Sequence, residues 1–347
     1  MFRILIKKYI NESILLWTAC SLVLLLFPWV RIWTVSQFEL SGFAPILKQF
    51  RAFEKFSPVP LEQFLTYHGI IGFTFDEPVL ILCVLVWSIA RGSDLVSGEL
   101  GRGTMEMMLS QPISRGKIVS AHALVTITGL MLLCGFVYLG ISLGIQTNTT
   151  LVRESVGIRI PWLNMDLTNP LATATPRQVP LTELVSPSLY IVPTLNLFGL
   201  GFLMLGLSVA VSAFDSYRWR TIGIVIGTYV LQLLLFVLSK STPKLGSLKP
   251  FSFLAAYQPD WIVQTVHRDP SAAWAWTVAG NGVTNGSAGE RRLSEDGSVA
   301  VSSPANEIWS FDRVGPLSYV SILIALGLIF YVAGYLRFRG RDLPAPQ

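Results

Sequence analysis

Six separate apolar stretches dominate this chain, each close to the length a helix needs to cross a bilayer, about 20 residues. They run about Ile14–Trp33, Gly69–Ala90, Ile118–Ile145, Leu189–Phe214, Thr221–Leu238 and Pro316–Phe338. Pro28 interrupts the first. Charged residues make up 14% of the chain, against roughly 25% in a soluble domain. The hydrophobic set makes up 52%, and mean hydropathy is +0.55. Such a composition excludes a disordered chain, which would be poor in apolar residues. It also excludes the two-domain cytosolic enzyme that length alone would suggest. The expected fold is an all-α polytopic membrane protein with six transmembrane helices forming a single domain over 1–347.

The first stretch is not a cleaved signal peptide. Its apolar run exceeds the roughly 7–15 residues of a signal core, and large residues (Val30, Ile32, Trp33) stand where small ones would be cleaved. Six spans put both termini on one side, and the density of basic residues near span ends selects that side. Arg3, Lys7 and Lys8, then Arg91, Arg102, Arg115 and Lys117, then Arg218 and Arg220, then Arg337, Arg339 and Arg341 all fall in short segments of one set. The other set spreads its basic residues through three much longer loops, so the termini are expected in the cytoplasm of a cell membrane, the inner membrane if the source is bacterial.

The expected outer loops are 36–68, 146–187 and 239–315. In the first, Ile46, Leu47, Phe50, Phe53 and Phe56 recur at three- and four-residue steps between charged residues. That is an amphipathic helix, lying in the outer interface or packing on the protein's own surface. The second is rich in Pro and Thr and reads as irregular chain with one short strand at most. The third has a Gly/Ser-rich middle, Gly280–Ser303, expected to be a mobile loop. Two glycosylation-type triplets, at Asn148 and Asn285, read as coincidence.

The inner segment 91–117 carries the strongest signal. Gly92, Gly98, Gly101 and Gly103 predict a flexible start. Thr104 is placed to cap a short helix, with Glu106 in its first turn and Met105, Met108 and Leu109 as its apolar face. Pro112 stops it, because a residue before proline avoids helix. Ser114 is placed to cap the next helix, with Arg115 and Lys117 at the inner headgroups. The product is a short cytoplasmic helix whose apolar face either docks a soluble partner or packs on its own bundle.

The run Gly103-Thr104-Met105-Glu106-Met107-Met108-Leu109-Ser110-Gln111-Pro112-Ile113-Ser114-Arg115 resembles the E-x-G-T-x-E-x-L-L-S-x-P-I-S-R segment of type-2 ABC exporter permeases. Glu99 stands roughly where that family has its upstream acidic residue. The six-span plan and the closing Arg337-x-Arg339-x-Arg341 are similar too. Where the family usually has Gly-Lys at the start of the third span, this chain has Ala121-His122. The resemblance implies the membrane subunit of an ATP-driven exporter. Glu99, Gly103, Thr104, Met105, Glu106, Met108, Leu109, Pro112 and Arg115 would form or position the coupling helix. The implied partners are an ABC ATPase subunit and a second permease subunit, either another copy or a related chain, within the lipid bilayer; nucleic acid is not among them. This chain lacks the G-x-x-x-x-G-K-[ST] phosphate cradle, so ATP and Mg²⁺ would sit on the partner and no cofactor on this chain. A non-transport membrane scaffold holding an extracytoplasmic partner is the alternative.

Candidate chemistry within the spans is sparse. Catalytic and metal-ligating residues are not expected: three cysteines sit in apolar runs, and His68, His122 and His267 fall on different sides. Mid-span carboxylates, which would mark an ion-coupled carrier, are missing. Asp76 and Glu77 are candidate linings of the outer mouth, or simply the start of a helix with Pro78 in its first turn. Asn196 and Gln232 either line a pathway or make interhelical hydrogen bonds. Gly199, Gly201, Gly223 and Gly227 offer small faces for close helix packing, expected within the monomer.

Overall fold

The computed structural model describes residues 2–37, 66–111, 113–153, 157–160, 165–168, 176–241, 243–278 and 314–341. Among these residues, six helical segments are long and apolar enough to cross a membrane. They are built from α1 (Phe2–Ser36), α2 and α3 (Tyr67–Gly72 and Pro78–Ser93), α5 (Arg115–Thr147), α6 (Ile191–Phe214), α7 (Arg218–Ser241) and α9 (Pro316–Gly340). The short α4 (Thr104–Leu109) lies between α3 and α5, and α8 (Pro259–Arg268) lies between α7 and α9. Most helices outrun the apolar windows that announce them. The helical hydrogen-bond ladder does not stop where the hydrocarbon does, so α1 carries Lys7, Lys8 and Glu12 in its first turns.

Contacts between distant residues place the chain's two ends together. Arg115, at the start of α5, donates to the carbonyls of Phe338 (2.9 Å) and Arg341 (2.6 Å) at the end of α9. Arg341 in turn donates to Ala213 O (3.1 Å) and Asp215 O (3.0 Å) at the end of α6. Both arginines satisfy carbonyls that a helix C-terminus leaves without partners. Lys8 of α1 reaches Glu99 at the same end. This end is called the terminal end below.

α6 is the central helix: 78% of its apolar window is buried, against 11% for α7. Its sequence explains the closeness of its neighbours. A Cβ at Gly206 would stand 2.2 Å from Gly327 O of α9, so these two backbones touch because neither residue carries a side chain. Gly199 and Gly201 meet Leu323, Val84 and Leu130 in the same way, as expected of packing inside the monomer. Gly223 and Gly227 differ: nothing lies within 4 Å of either, and this face of α7 is open.

At the opposite end, the segment expected to be irregular forms two antiparallel ribbons, β1 (Thr149–Arg153) with β4 (Pro176–Pro180) and β2 (Gly157–Ile160) with β3 (Met165–Thr168). α8 is an element that the hydropathy pattern alone does not announce. Its signals are Pro259 at the first helical position, Asp260 in the first turn, and Ile262, Val263 and Val266 on one buried face. The expected amphipathic helix at 46–56, the Gly/Ser-rich run 280–303 and Pro112 lie outside the described residues.

Candidate functional site

The second span does not end at Ala90. Helix continues through Arg91, and one wide turn over Asp94–Gly98 leads to a last helical turn at Glu99–Gly101. Gly92 and Gly98 are therefore packing residues, not hinges. A Cβ at Gly92 would lie 2.6 Å from Ser208 of α6. The wide turn, a π-type geometry, leaves N–H groups without their usual carbonyls, and π-turns concentrate at functional sites. Ser212 of α6 meets the need: its Oγ accepts from Ser97 N (2.9 Å) and Val96 N (3.3 Å).

This wide turn gathers a lattice of charge. Asp94 accepts from Arg91 Nη1 (2.9 Å) and Arg102 Nη1 (2.9 Å), and pairs with Arg218 Nη1 (3.4 Å) from the start of α7. Glu99 accepts from Lys8 Nζ (2.8 Å) of α1 and pairs with Arg102 Nη2 (3.3 Å). Lys8 also approaches Glu12 (3.7 Å). Asp94, Glu99 and Arg91 are buried. Ions so placed need partners, since an unpaired buried charge costs several kcal/mol. The lattice thus ties α1, the end of the second span and the start of α7 into one unit.

The motif residues hang from it. Thr104 begins α4, and its hydroxyl donates to the carbonyl of Glu99 (3.2 Å) and to the Glu99 carboxylate. Gly103 makes the tight corner between them at φ +69°, and a Cβ there would meet nothing within 4 Å. The left-handed region costs a side-chain-bearing residue about 1–2 kcal/mol. Gly103→Ala is therefore expected to lower thermal stability through backbone strain alone, and Gly103→Asn by less. Equal melting temperatures for Gly103→Ala and wild type in detergent would refute this.

The apolar face of α4 is turned inward. Met105 is fully buried and Met108 nearly so, with Lys8 Nζ 3.4 Å from Met108 Sδ. Met107 is the outward residue of this turn, 69% exposed. The sequence names this apolar face but leaves open whether it docks a partner or packs on the bundle; at Met105 and Met108 it packs on the bundle. The side chains of Glu106 and Leu109 are outside the described set. Ser114 occupies the N-cap position of α5 without a side-chain cap bond, and Arg115 binds the end of α9, as given above.

The predicted pathway residues are engaged with the segment 253–260 and with α1. Asn196 Nδ2 donates to Ala256 O (3.0 Å), and Gln232 Oε1 accepts from Phe253 N (3.2 Å). Both amides hold the single-turn segment Phe253–Ala256, the hydrogen-bonding alternative to lining a pathway. Glu77 sits at the N-cap position before Pro78 and pairs with Arg31 of α1. Asp76 lies within hydrogen-bonding reach of Asp260 of α8, with Lys240 and Arg31 nearby. His68 and His267 stack with ring centroids 3.7 Å apart, at the opposite end from His122. Among the described residues, no group of three or more His, Cys, Asp or Glu side chains is gathered as metal ligands would be.

Burial, together with the Asp76 carboxyl beside it, pushes the Asp260 carboxyl up to about 9. A carboxyl raised on folding favours the folded state while protonated. Its contribution is complete below the ordinary value of 3.8 and is lost as pH rises toward 9. Asp260→Asn is expected to flatten that part of the fall in melting temperature between pH 4 and 9. Identical pH profiles for variant and wild type would contradict the assignment.

Comparison with known proteins adds no relative: no family model, curated protein or solved structure matches this chain.

Proposed function

We propose that the chain is the membrane subunit of an ATP-driven exporter of the type-2 ABC permease class, with α4 as the element that receives the motion of a separate ATPase. One observation carries the reading. The run that resembles the family's coupling segment forms a short helix at the terminal end, locked by Thr104 and Glu99 to a lattice that joins three spans. A helix that must transmit a push needs a rigid seat, and buried ion pairs with few alternative arrangements provide one. A helix on a flexible tether would absorb the motion. In this reading the terminal end is cytoplasmic, in agreement with its basic residues. The open Gly223/Gly227 face of α7 supports pairing with a second permease subunit, since two small residues four apart let a helix approach closely. ATP and Mg²⁺ belong to the partner, and this chain performs mechanical work.

The test uses the outward residue, because acidic substitutions at buried Met105 or Met108 would disturb folding. Met107→Asp should leave the melting temperature of the purified chain unchanged. It should lower recovery of an ABC-type ATPase, identified by mass spectrometry and vanadate-sensitive hydrolysis, by about tenfold, the scale of one ~1.4 kcal/mol contact. Undiminished recovery and hydrolysis would remove the coupling role. If wild-type membranes yield no such ATPase, the scaffold alternative stands in its place.

A further inference from the structure

Two arginines from the end of α9 converge on one corner of the terminal end, residues 213–216, where α6 gives way to α7. The guanidinium of Arg337, in the last turn of α9, lies over the ring of Phe214, 5.2 Å from its centroid. About one helical turn further on, Arg341 donates to the carbonyls of Ala213 and Asp215, and its Nη2 donates to Ser216 Oγ (2.7 Å). None of these contacts neutralises a charge. The carboxylate of the corner, Asp215, is already engaged: it accepts from Ser216 N (2.7 Å) and Tyr217 N (3.1 Å) and pairs with Arg220 Nε (3.4 Å). Among the described residues, no carboxylate pairs with Arg337 or Arg341.

The corner lies open beside apolar surface. Arg337 and Ser216 are exposed, and so are the rings of Phe214 and Trp219, at the end of α6 and the start of α7. On α9, Ile329, Val332 and Leu336 are exposed along one stripe, as their three- and four-residue spacing requires, and the stripe runs directly into Arg337. An exposed apolar stripe on a span faces acyl chains. The Phe214 ring engages the Arg337 cation through its face and takes up none of its N–H groups. Ser216 Oγ accepts from Arg341, so its own proton is left to donate.

We propose that this corner binds the headgroup of an anionic phospholipid, which bridges the ends of α6 and α9. A phosphate supplies what the corner lacks: negative charge, several acceptor oxygens and a shape that matches the guanidinium fork. Arg337 offers that fork, and Arg341 a second positive charge held in place by the α6 carbonyls. Ser216 adds a hydroxyl donor. Phe214, Trp219 and the α9 stripe lie where the acyl chains would run. A free phosphate ion would gain nothing from that apolar surface, and charges exposed to water hold it weakly. The site rests on the six spans alone. It needs neither the exporter reading nor a choice of which side of the membrane the terminal end faces.

The experiment uses the full chain in a non-ionic detergent, exchanged until native mass spectrometry shows no bound lipid. Dioctanoyl phosphatidylglycerol is then added at constant ionic strength while the melting temperature is read. Wild type should show a saturable rise of about 2 °C, and dioctanoyl phosphatidylcholine should give none. Arg337→Gln, at an exposed position, should raise the half-saturating lipid concentration about tenfold. Phe214→Leu, which stays apolar but loses the ring, should raise it by less. Arg3→Gln and Lys7→Gln remove the same charge from exposed positions of α1 at the same end and should leave it unchanged. A wild-type protein indifferent to phosphatidylglycerol, or an Arg337→Gln protein that responds as wild type does, would overturn the proposal. So would an equal rise with phosphatidylcholine, which would show that the apolar surface binds without the arginines. An equal rise with glycerol phosphate would show a free-anion site instead. Equal weakening in Arg3→Gln or Lys7→Gln would show general attraction to a basic end rather than a site.

Discussion

Asp94→Asn should destabilise the protein by about 3–5 kcal/mol, the scale of breaking a buried ion pair from one side. The substitution keeps shape and removes charge. Arg91, buried against Asp94, would then face no carboxylate, and Arg102 and Arg218 would lose their shared partner. The exposed pairs contribute little, because solvent and salt screen them; most of the loss belongs to Arg91. A double substitution separates the cause. Arg91→Met alone should also destabilise, by leaving Asp94 with only its two half-exposed partners. Arg91→Met with Asp94→Asn should recover part of the combined loss, since neither charge is then buried alone. Melting and denaturant unfolding in one detergent would measure all four proteins. A single-variant loss below about 1 kcal/mol, or strict additivity in the double variant, would show that the lattice is not a buried electrostatic unit.

Gly206→Val should be the most disruptive single change in the apolar part of the bundle. The nearest atom to a Cβ at Gly206 is a backbone carbonyl oxygen of α9, at 2.2 Å, and a backbone cannot step aside as a flexible side chain can. The two helices must separate, and packing is lost along their whole contact. Overpacking of a tight core costs about 1–3 kcal/mol for the smallest additions; Gly206→Ala should fall in that range and Gly206→Val beyond it. Gly223→Ala and Gly227→Ala are the controls. Within the single chain nothing surrounds those positions, so in the monomer alanine should be neutral or slightly stabilising through its better helix propensity. Monodispersity on size exclusion and melting temperature provide the readout. Gly206→Ala behaving like Gly227→Ala would mean that α6 and α9 do not meet as described.

Much of the plan is legible in the residues because its cause is local. A bilayer imposes one length on every span, and a run of apolar residues declares that length without help from the rest of the chain. Pro78 opening α3 is legible for the same reason: proline has no N–H to lose at the first turn of a helix. α8 is equally readable in principle, with its proline start and apolar face, but its short amphipathic pattern is easily passed over inside a long polar loop. The seat of α4 is not readable. Residues 91–99 are rich in Gly, Ser and charge, the composition of a loop, and they become buried helix only because of groups far away in sequence. Ser208 fits the space at Gly92, Ser212 meets the N–H groups of the wide turn, and Arg218 and Lys8 balance Asp94 and Glu99. The same holds for the pathway amides: nothing near Asn196 or Gln232 in sequence announces that Phe253–Ala256 folds back to meet them.

By itself the sequence determined the number of the apolar spans, the gathering of basic residues at one end, and the existence of a short helix between the second and third spans. Each follows from a property that acts over a few turns of chain: hydrophobic length, charge density, or the backbone limits of proline and glycine. Only the tertiary structure decided that the apolar face of that short helix packs on its own bundle, and that the polar segment before it is a buried lattice of ion pairs. The physical reason is that a buried charge or an unsatisfied N–H is tolerable only where partners converge, and here those partners come from three other helices.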